Sequence, residues 1–375
     1  MNNFPAVDPI PLPAPVWLFK ALHILTMALH FYAVELLIGG LLIAVLLNLM
    51  GVMGRGSAIS GVRLGAAASL AKRLPIVMTY VINLGVPPLL FSQVLYGRAL
   101  YTSSVLIGAY WIAVIPMLMA CYWLLYKFNA GAERGRPVWW IGALSWLIAG
   151  SIAKILSTNM TLMLRPEVWQ QMYSATAGGT HLPPHDPTTS PRWLFMLAGG
   201  LVFAGLWMVW LAGHKRIEMP VREYLAGLGG RVAVAGVIAQ LAAGHFVYHL
   251  QPAKVLADIA ANPFYHLSSF VWIGSVALIL VFGAWVGFKK VTAFAAGWVG
   301  ATLGFLALAG WTIFRDGVRD YTLLGKGYDV WQRTVVTNWS VVGLFLLLFV
   351  IGLGTIGWLV SVMVRAKPVT ESVVK

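Results

Sequence analysis

Nine runs of predominantly apolar residues, separated by short polar links, set the pattern of this chain. A run of about 20 apolar residues crosses the hydrocarbon core of a bilayer as a helix. The spans so predicted are 20–49, 74–96, 104–126, 138–163, 193–213, 231–251, 267–288, 292–314 and 339–364. The first is longer than a bilayer needs, which predicts a tilt or a start that projects into the interface. Nothing between the spans is long enough for a soluble domain, so 1–375 reads as a single polytopic all-α membrane domain. The longest links, 164–192 and 315–338, are rich in Pro, Gly and aromatic residues and read as caps over the bundle. No strong internal repeat is visible, although spans one to four and five to eight are compatible with two four-helix bundles plus one helix.

Composition agrees with this pattern: 59% of residues are hydrophobic and 10% charged, against about 25% charged in a soluble domain. The net charge of +14 changes the picture only through its placement. Basic residues sit in the links, as topology signals do, and not in a stripe suited to nucleic acid. Sixteen of the 26 Lys and Arg fall on the side that includes the C-terminus and nine on the other, with Lys154 inside a span. The positive-inside rule then puts the N-terminus outside and the C-terminus in the cytoplasm, in the cell's inner membrane. Cys121, the single cysteine, lies in an apolar run, which excludes disulfides, Cys-ligated clusters and covalent c-type haem. The opening MNNFPAVDPIPLPAP has no basic residue before Lys20 and does not read as a signal peptide.

Candidate chemistry lies mostly at the predicted outer side. His181 and His185 fall in an external link, His266 opens the seventh span, and only His214 belongs to the cytoplasmic face. His23 and His30 are seven residues apart, so they share a helical face about 10 Å apart along the axis. His245 and His249 are four apart and also share a face. Counted from the span ends, His30 and His245 lie at similar depth, and His23 and His249 lie near the interface. Two facing tiers of imidazole would suit axial haem ligation, with His30 and His245 on the iron. Snorkelling or interhelical hydrogen bonding is the competing role for each. Glu35 and Lys154, both inside spans, read as an ion pair or as a proton relay through Glu35. Arg315 and Arg319, in WTIFRDGVRDYTLLGKGYD, suit haem propionates because Arg pairs carboxylates bidentately. An interfacial salt-bridge cap made with Asp316 and Asp320 is the alternative.

Three segments carry a resemblance. ALHFYAVELLIGGLLIAV resembles the first helix of cytochrome bd ubiquinol oxidase subunit I, and His30 matches a haem-ligating histidine there. NLGVPPLLFSQVLYGRALYTSSVLIGA is similar to that family's second helix and the turn into its third. LSTNMTLMLRPEVW is similar to the end of its fourth. The resemblance covers about the first 165 residues; the remainder, 166–375, is divergent. It implies nine spans, an outer N-terminus and haem near the outer face. The departures are specific. GAYWIAVIPMLMACYWLLY lacks the two glutamates of the family's third helix, and Phe195 stands near the position of its fifth-span haem histidine. The external quinol-binding loop between spans six and seven is reduced to about 252–266. These departures argue against oxygen reduction of the bd type.

The resulting expectation is a haem b-binding subunit of a respiratory complex, a component of a quinol oxidoreductase. It would pass electrons between the quinone pool and an external carrier such as a c-type cytochrome, with other membrane subunits beside it in the bilayer. A cofactor-free membrane anchor or scaffold derived from the oxidase fold is the rival, and a transporter using Glu35 and Lys154 a third.

Overall fold

The computed structural model describes residues 4–5 and 11–365. Most of MNNFPAVDPI, and Lys367 and Lys375 of the charge count, lie outside the described residues. The described helices are α1 (Val16–Met53), α2 (Ala58–Ala71), α3 (Leu74–Leu106), α4 (Gly108–Glu133), α5 (Trp139–Leu162) and α6 (Trp169–Ala175). They continue with α7 (Thr189–Ala212), α8 (Met219–His249), α9 (Ala253–Ala261), α10 (Pro263–Lys289), α11 (Phe294–Gly325) and α12 (Trp339–Arg365). Among the described residues nine segments are long and apolar enough to cross a membrane, with α2 and α3 running on as one of them. The chain is an all-α, multi-pass membrane protein.

Two compact units divide it. Among the described residues, one holds 4–5 and 20–330, and the other holds 11–19 and 331–365. In the smaller unit, Leu12 and Val335 form a parallel bridge, with Leu12 N–H donating to the Thr334 carbonyl at 2.8 Å. In the larger unit, α3, α4 and α5 pack together and α7, α8, α10 and α11 form a second set. Backbone contact at glycine joins α1 to the second set: a Cβ on Gly39 would stand 1.6 Å from the Gly200 carbonyl oxygen. No side chain fits there, so GG in α1 against GG in α7 brings the two helices together.

The links depart most from expectation. The stretch 315–325, predicted as part of an external cap, is the last three turns of α11, and Asp316, Arg319 and Asp320 are buried. Hydropathy falls where charge begins, but helical hydrogen bonding continues because those charges find partners inside the bundle. Residues 58–71, predicted as link, form the Ala- and Gly-rich helix α2.

A buried ion cluster and an unclaimed imidazole

Spacing on α11 begins the site. Asp316, Arg319 and Asp320 recur at three and four residues, which places them on one helical face. That face meets Lys20 near the start of α1. The Lys20 ammonium contacts the Asp316 carboxylate directly and lies 2.7 Å from Asp320 Oδ2. It also donates to the Tyr96 hydroxyl at 2.8 Å. Tyr96 sits where α3 leaves helical geometry (φ −122°, ψ 18°), and that break turns its ring into the cluster. The Tyr96 hydroxyl is 2.8 Å from Asp320 Oδ1 and 3.0 Å from Asp316 Oδ1. Tyr265 of α10 donates to Asp320 Oδ2 at 3.0 Å. Its ring lies where a Cβ on Gly317 would stand, 2.9 Å from Tyr265 Cδ1, so glycine in RDGVRD admits it.

Two cations and two carboxylates cancel in charge, and each has further hydrogen bonds. That is the condition under which charges persist away from water. Arg319 completes the cluster: its guanidinium is 3.7 Å from Asp316 and 4.7 Å from the Tyr96 ring centre, and it reaches His23 Nε2 at 2.9 Å. Guanidinium only donates, so His23 Nε2 accepts and Nδ1 carries the proton. Nδ1–H then donates to the Pro88 carbonyl at 3.2 Å. Both nitrogens of His23 are engaged, and its side chain is 1% exposed. The interfacial cap considered for these charges is instead a buried polar network, and Arg319 spends its donors within it.

His30, two turns further along α1, has different surroundings. Its Nδ1 is buried with no hydrogen bond of good geometry, and the Val81 backbone of α3 bears on the ring. The ring lies against α3, where a Cβ on Gly85 would meet His30 Cε1 at 2.9 Å and Nδ1 at 3.1 Å. Phe31 is beside it, with ring centres 5.9 Å apart, and Arg315 lies over the Phe31 ring at 5.2 Å. Arg315 thus flanks the same aromatic ring as His30 and takes no part in the Lys20 cluster.

The other expected residues are not brought to His30. His245 and His249 lie with ring centres 4.3 Å apart, tilted by 54°, and are exposed on the outside of α8. The inward face of α8 is Ala233, Gly236, Val237, Gln240, Gly244 and Val247, and that spacing turns 245 and 249 away. The opposing imidazole tier is therefore not formed. His181, His185 and His266 are exposed too. Glu35 and Lys154 do not pair. Glu35 is buried beside α7, where a Cβ on Gly199 would lie 2.9 Å from both Glu35 Oε1 and Gln240 Nε2. Lys154 lies over Trp193 at 5.7 Å, in a recess near the end of α5. Counting residues equalised their depths but left out the direction in which each side chain leaves its helix. Phe195, at the position resembling a haem histidine, is fully buried and stacks on Trp311 at 4.1 Å.

Sequence reasoning missed Lys20, Tyr96 and Tyr265. The available signal was the repeated Arg-Asp pair at 315–316 and 319–320, a four-residue period that marks helix and requires partners.

No protein-family model matches the chain, and no curated protein matches it in sequence. In fold it is similar to the solved structure of bd oxidase from Geobacillus thermodenitrificans, with a TM-score of 0.67 at 12% identity. The match covers 96% of this chain and 100% of the matched one. The class is therefore a polytopic helical membrane protein of bd-oxidase-like fold. At that identity the likeness is one of architecture, and function must be argued from the residues.

Proposed function

We propose that the chain is a haem b-binding membrane subunit of a respiratory electron-transfer complex, with His30 as an axial ligand. The observation that carries this reading is the buried His30 imidazole, which meets Gly85 and the Val81 backbone on α3 and whose Nδ1 lacks a well-formed hydrogen bond. A buried imidazole nitrogen without a partner is costly, and coordination would satisfy it. Arg315 would hold a propionate, since Arg319 is occupied by His23 and Asp316. Bound haem would supply one-electron transfer; the helices would supply the ligand, the burial and the propionate partner. The Lys20 cluster would close this end of the bundle and keep His23 away from the iron. By the asymmetry of basic residues this end faces outward, so electrons would pass between quinone and an external carrier such as a c-type cytochrome. Phe195 offers no ligand, and third-span carboxylates are absent, so oxygen reduction of the bd type is not part of the proposal.

The test is the absorption spectrum and pyridine haemochrome of the purified chain, its His30→Ala variant and its His23→Ala variant. Loss of the b-type Soret band in His30→Ala but not in His23→Ala is expected. A wild type without haem, or equal haem in all three, would overturn the proposal. One observation favours a second reading, a haem-free scaffold: aromatic packing of Phe195 with Trp272 and Trp311 fills the region where the resemblance expects a haem histidine.

A further inference from the structure

Lys154 presents a separate problem. It sits within a predicted span on α5, half-buried, and no carboxylate lies within ion-pair distance of it among the described residues. Its ring contact with Trp193 satisfies none of its three N–H donors. An ammonium at membrane depth calls for an anion. Beside it is a recess of about 160 Å³ between the end of α5 and the start of α7, under the link 182–190. At about 30 Å³ per water, that volume takes a phosphate group with a water or two.

The lining fits that group. Arg165 brings a second cation to the recess, and the hydroxyls of Thr158, Thr189 and Ser190 supply neutral donors. Asp186 also lines it, but its carboxylate is engaged: Oδ1 accepts from the Thr188 N–H at 2.8 Å, and Oδ2 lies 3.7 Å from Arg165. Arg165 also donates to the Pro184 carbonyl at 2.6 Å, which ties the roof to the wall. Glu167, 3.8 Å from Arg165, is neutralised by Lys326 at 2.7 Å. Lys154, Arg165 and Arg192, whose guanidinium reaches the lining Thr161 hydroxyl at 3.5 Å, outweigh Asp186 and leave the recess net positive. We propose that this recess binds a phosphate monoanion, and that its source is the phosphodiester headgroup of an anionic phospholipid. A phosphodiester supplies the negative charge that the recess lacks, and the recess runs from Lys154 to the end of α5, where a spanning helix leaves the hydrocarbon for the headgroups.

The experiment is native mass spectrometry of the full chain in detergent, titrated with phosphatidylglycerol, with a phosphate-free diacylglycerol, or with inorganic phosphate. Wild type should retain one phosphatidylglycerol and no diacylglycerol. Lys154→Gln should weaken that binding about fivefold, and Lys154→Arg should restore it. Arg165→Gln tests the same recess from the opposite wall and should weaken it as well. If millimolar inorganic phosphate displaces the lipid from wild type, and binds in a Lys154-dependent way, the site keeps its chemistry and the free ion is its source. Equal retention by wild type, Lys154→Gln and Arg165→Gln, or no retention at all, overturns the proposal. The readout involves no haem, so its failure is distinct from failure of the His30 assignment.

Discussion

His23 and His30 lie two turns apart on one helix, and only their neighbours tell them apart. His23 has a donor on one nitrogen and an acceptor on the other, inside a network of seven side chains from α1, α3, α10 and α11. His30 has an aromatic neighbour, a glycine and an Nδ1 without a well-formed hydrogen bond. Position on a shared face, which both hold, does not make a ligand. A ring nitrogen left for one does. The same contrast separates the arginines one turn apart on α11: Arg319 is bound to His23, whereas Arg315 rests on Phe31.

The largest expected effect tests the satisfied half of that contrast. Lys20→Met removes the cation between Asp316 and Asp320 and leaves two buried carboxylates facing one another. The cost should be about 3–5 kcal/mol, read as a fall in unfolding temperature in detergent. Lys326→Met removes an exposed partner of Glu167 and should cost less than about 1 kcal/mol. Equal effects would mean that the cluster contributes no more than a surface pair.

Next comes the comparison of the histidines themselves, made in haem-free protein. His23→Ala strands the Arg319 donor and the Pro88 carbonyl, and should destabilise by about 1–3 kcal/mol. His30→Ala loses only a poorly formed contact with the Val81 backbone and should cost less than His23→Ala. The reverse order would show that His30 is the structural residue of the two. Gly85→Ala approaches His30 from the other side: its methyl must displace the imidazole it would meet at 2.9 Å. Overpacking of this kind costs about 1–3 kcal/mol, and in haem-loaded protein it should shift the Soret band. An unshifted band would place the iron elsewhere.

Much of this architecture was legible because a bilayer enforces long apolar runs, and hydropathy alone located all nine spans found among the described residues, although α3 runs on to Leu106 and α8 begins at Met219, well outside the expected 74–96 and 231–251. It failed where a helix carried charge into a satisfied interior. Residues 315–325 read as link for that reason, and Lys20 read as an outer flank when it is 3% exposed. His30 was legible by depth and resemblance. Tyr96 and Tyr265 were not: an aromatic hydroxyl in an apolar run has no distinguishing pattern until the carboxylates it meets are placed. The facing of His245 towards His30 was inferred from depth alone, and the glycine-rich inward face of α8 decides otherwise.

The smallest effect separates the two tyrosines and so maps the edge of the cluster. Tyr96 touches Lys20, Asp316 and Asp320, and its ring also supports Arg319. Tyr265 makes one hydrogen bond, to Asp320, which keeps Lys20 and Tyr96 when that bond is lost. Phenylalanine preserves both rings, so only the hydroxyl is tested in each case. Tyr265→Phe should cost about 1.5 kcal/mol, the low end for a hydrogen bond to a charged group. Tyr96→Phe should cost more, because Lys20 loses an acceptor while the two aspartates lose the one hydroxyl proton that they share. The double variant should fall short of the sum of the single effects, since both hydroxyls serve Asp320 and contacting residues couple. Additive costs would mean that the two tyrosines act on Asp320 independently, and the cluster would then be two adjoining pairs instead of one network.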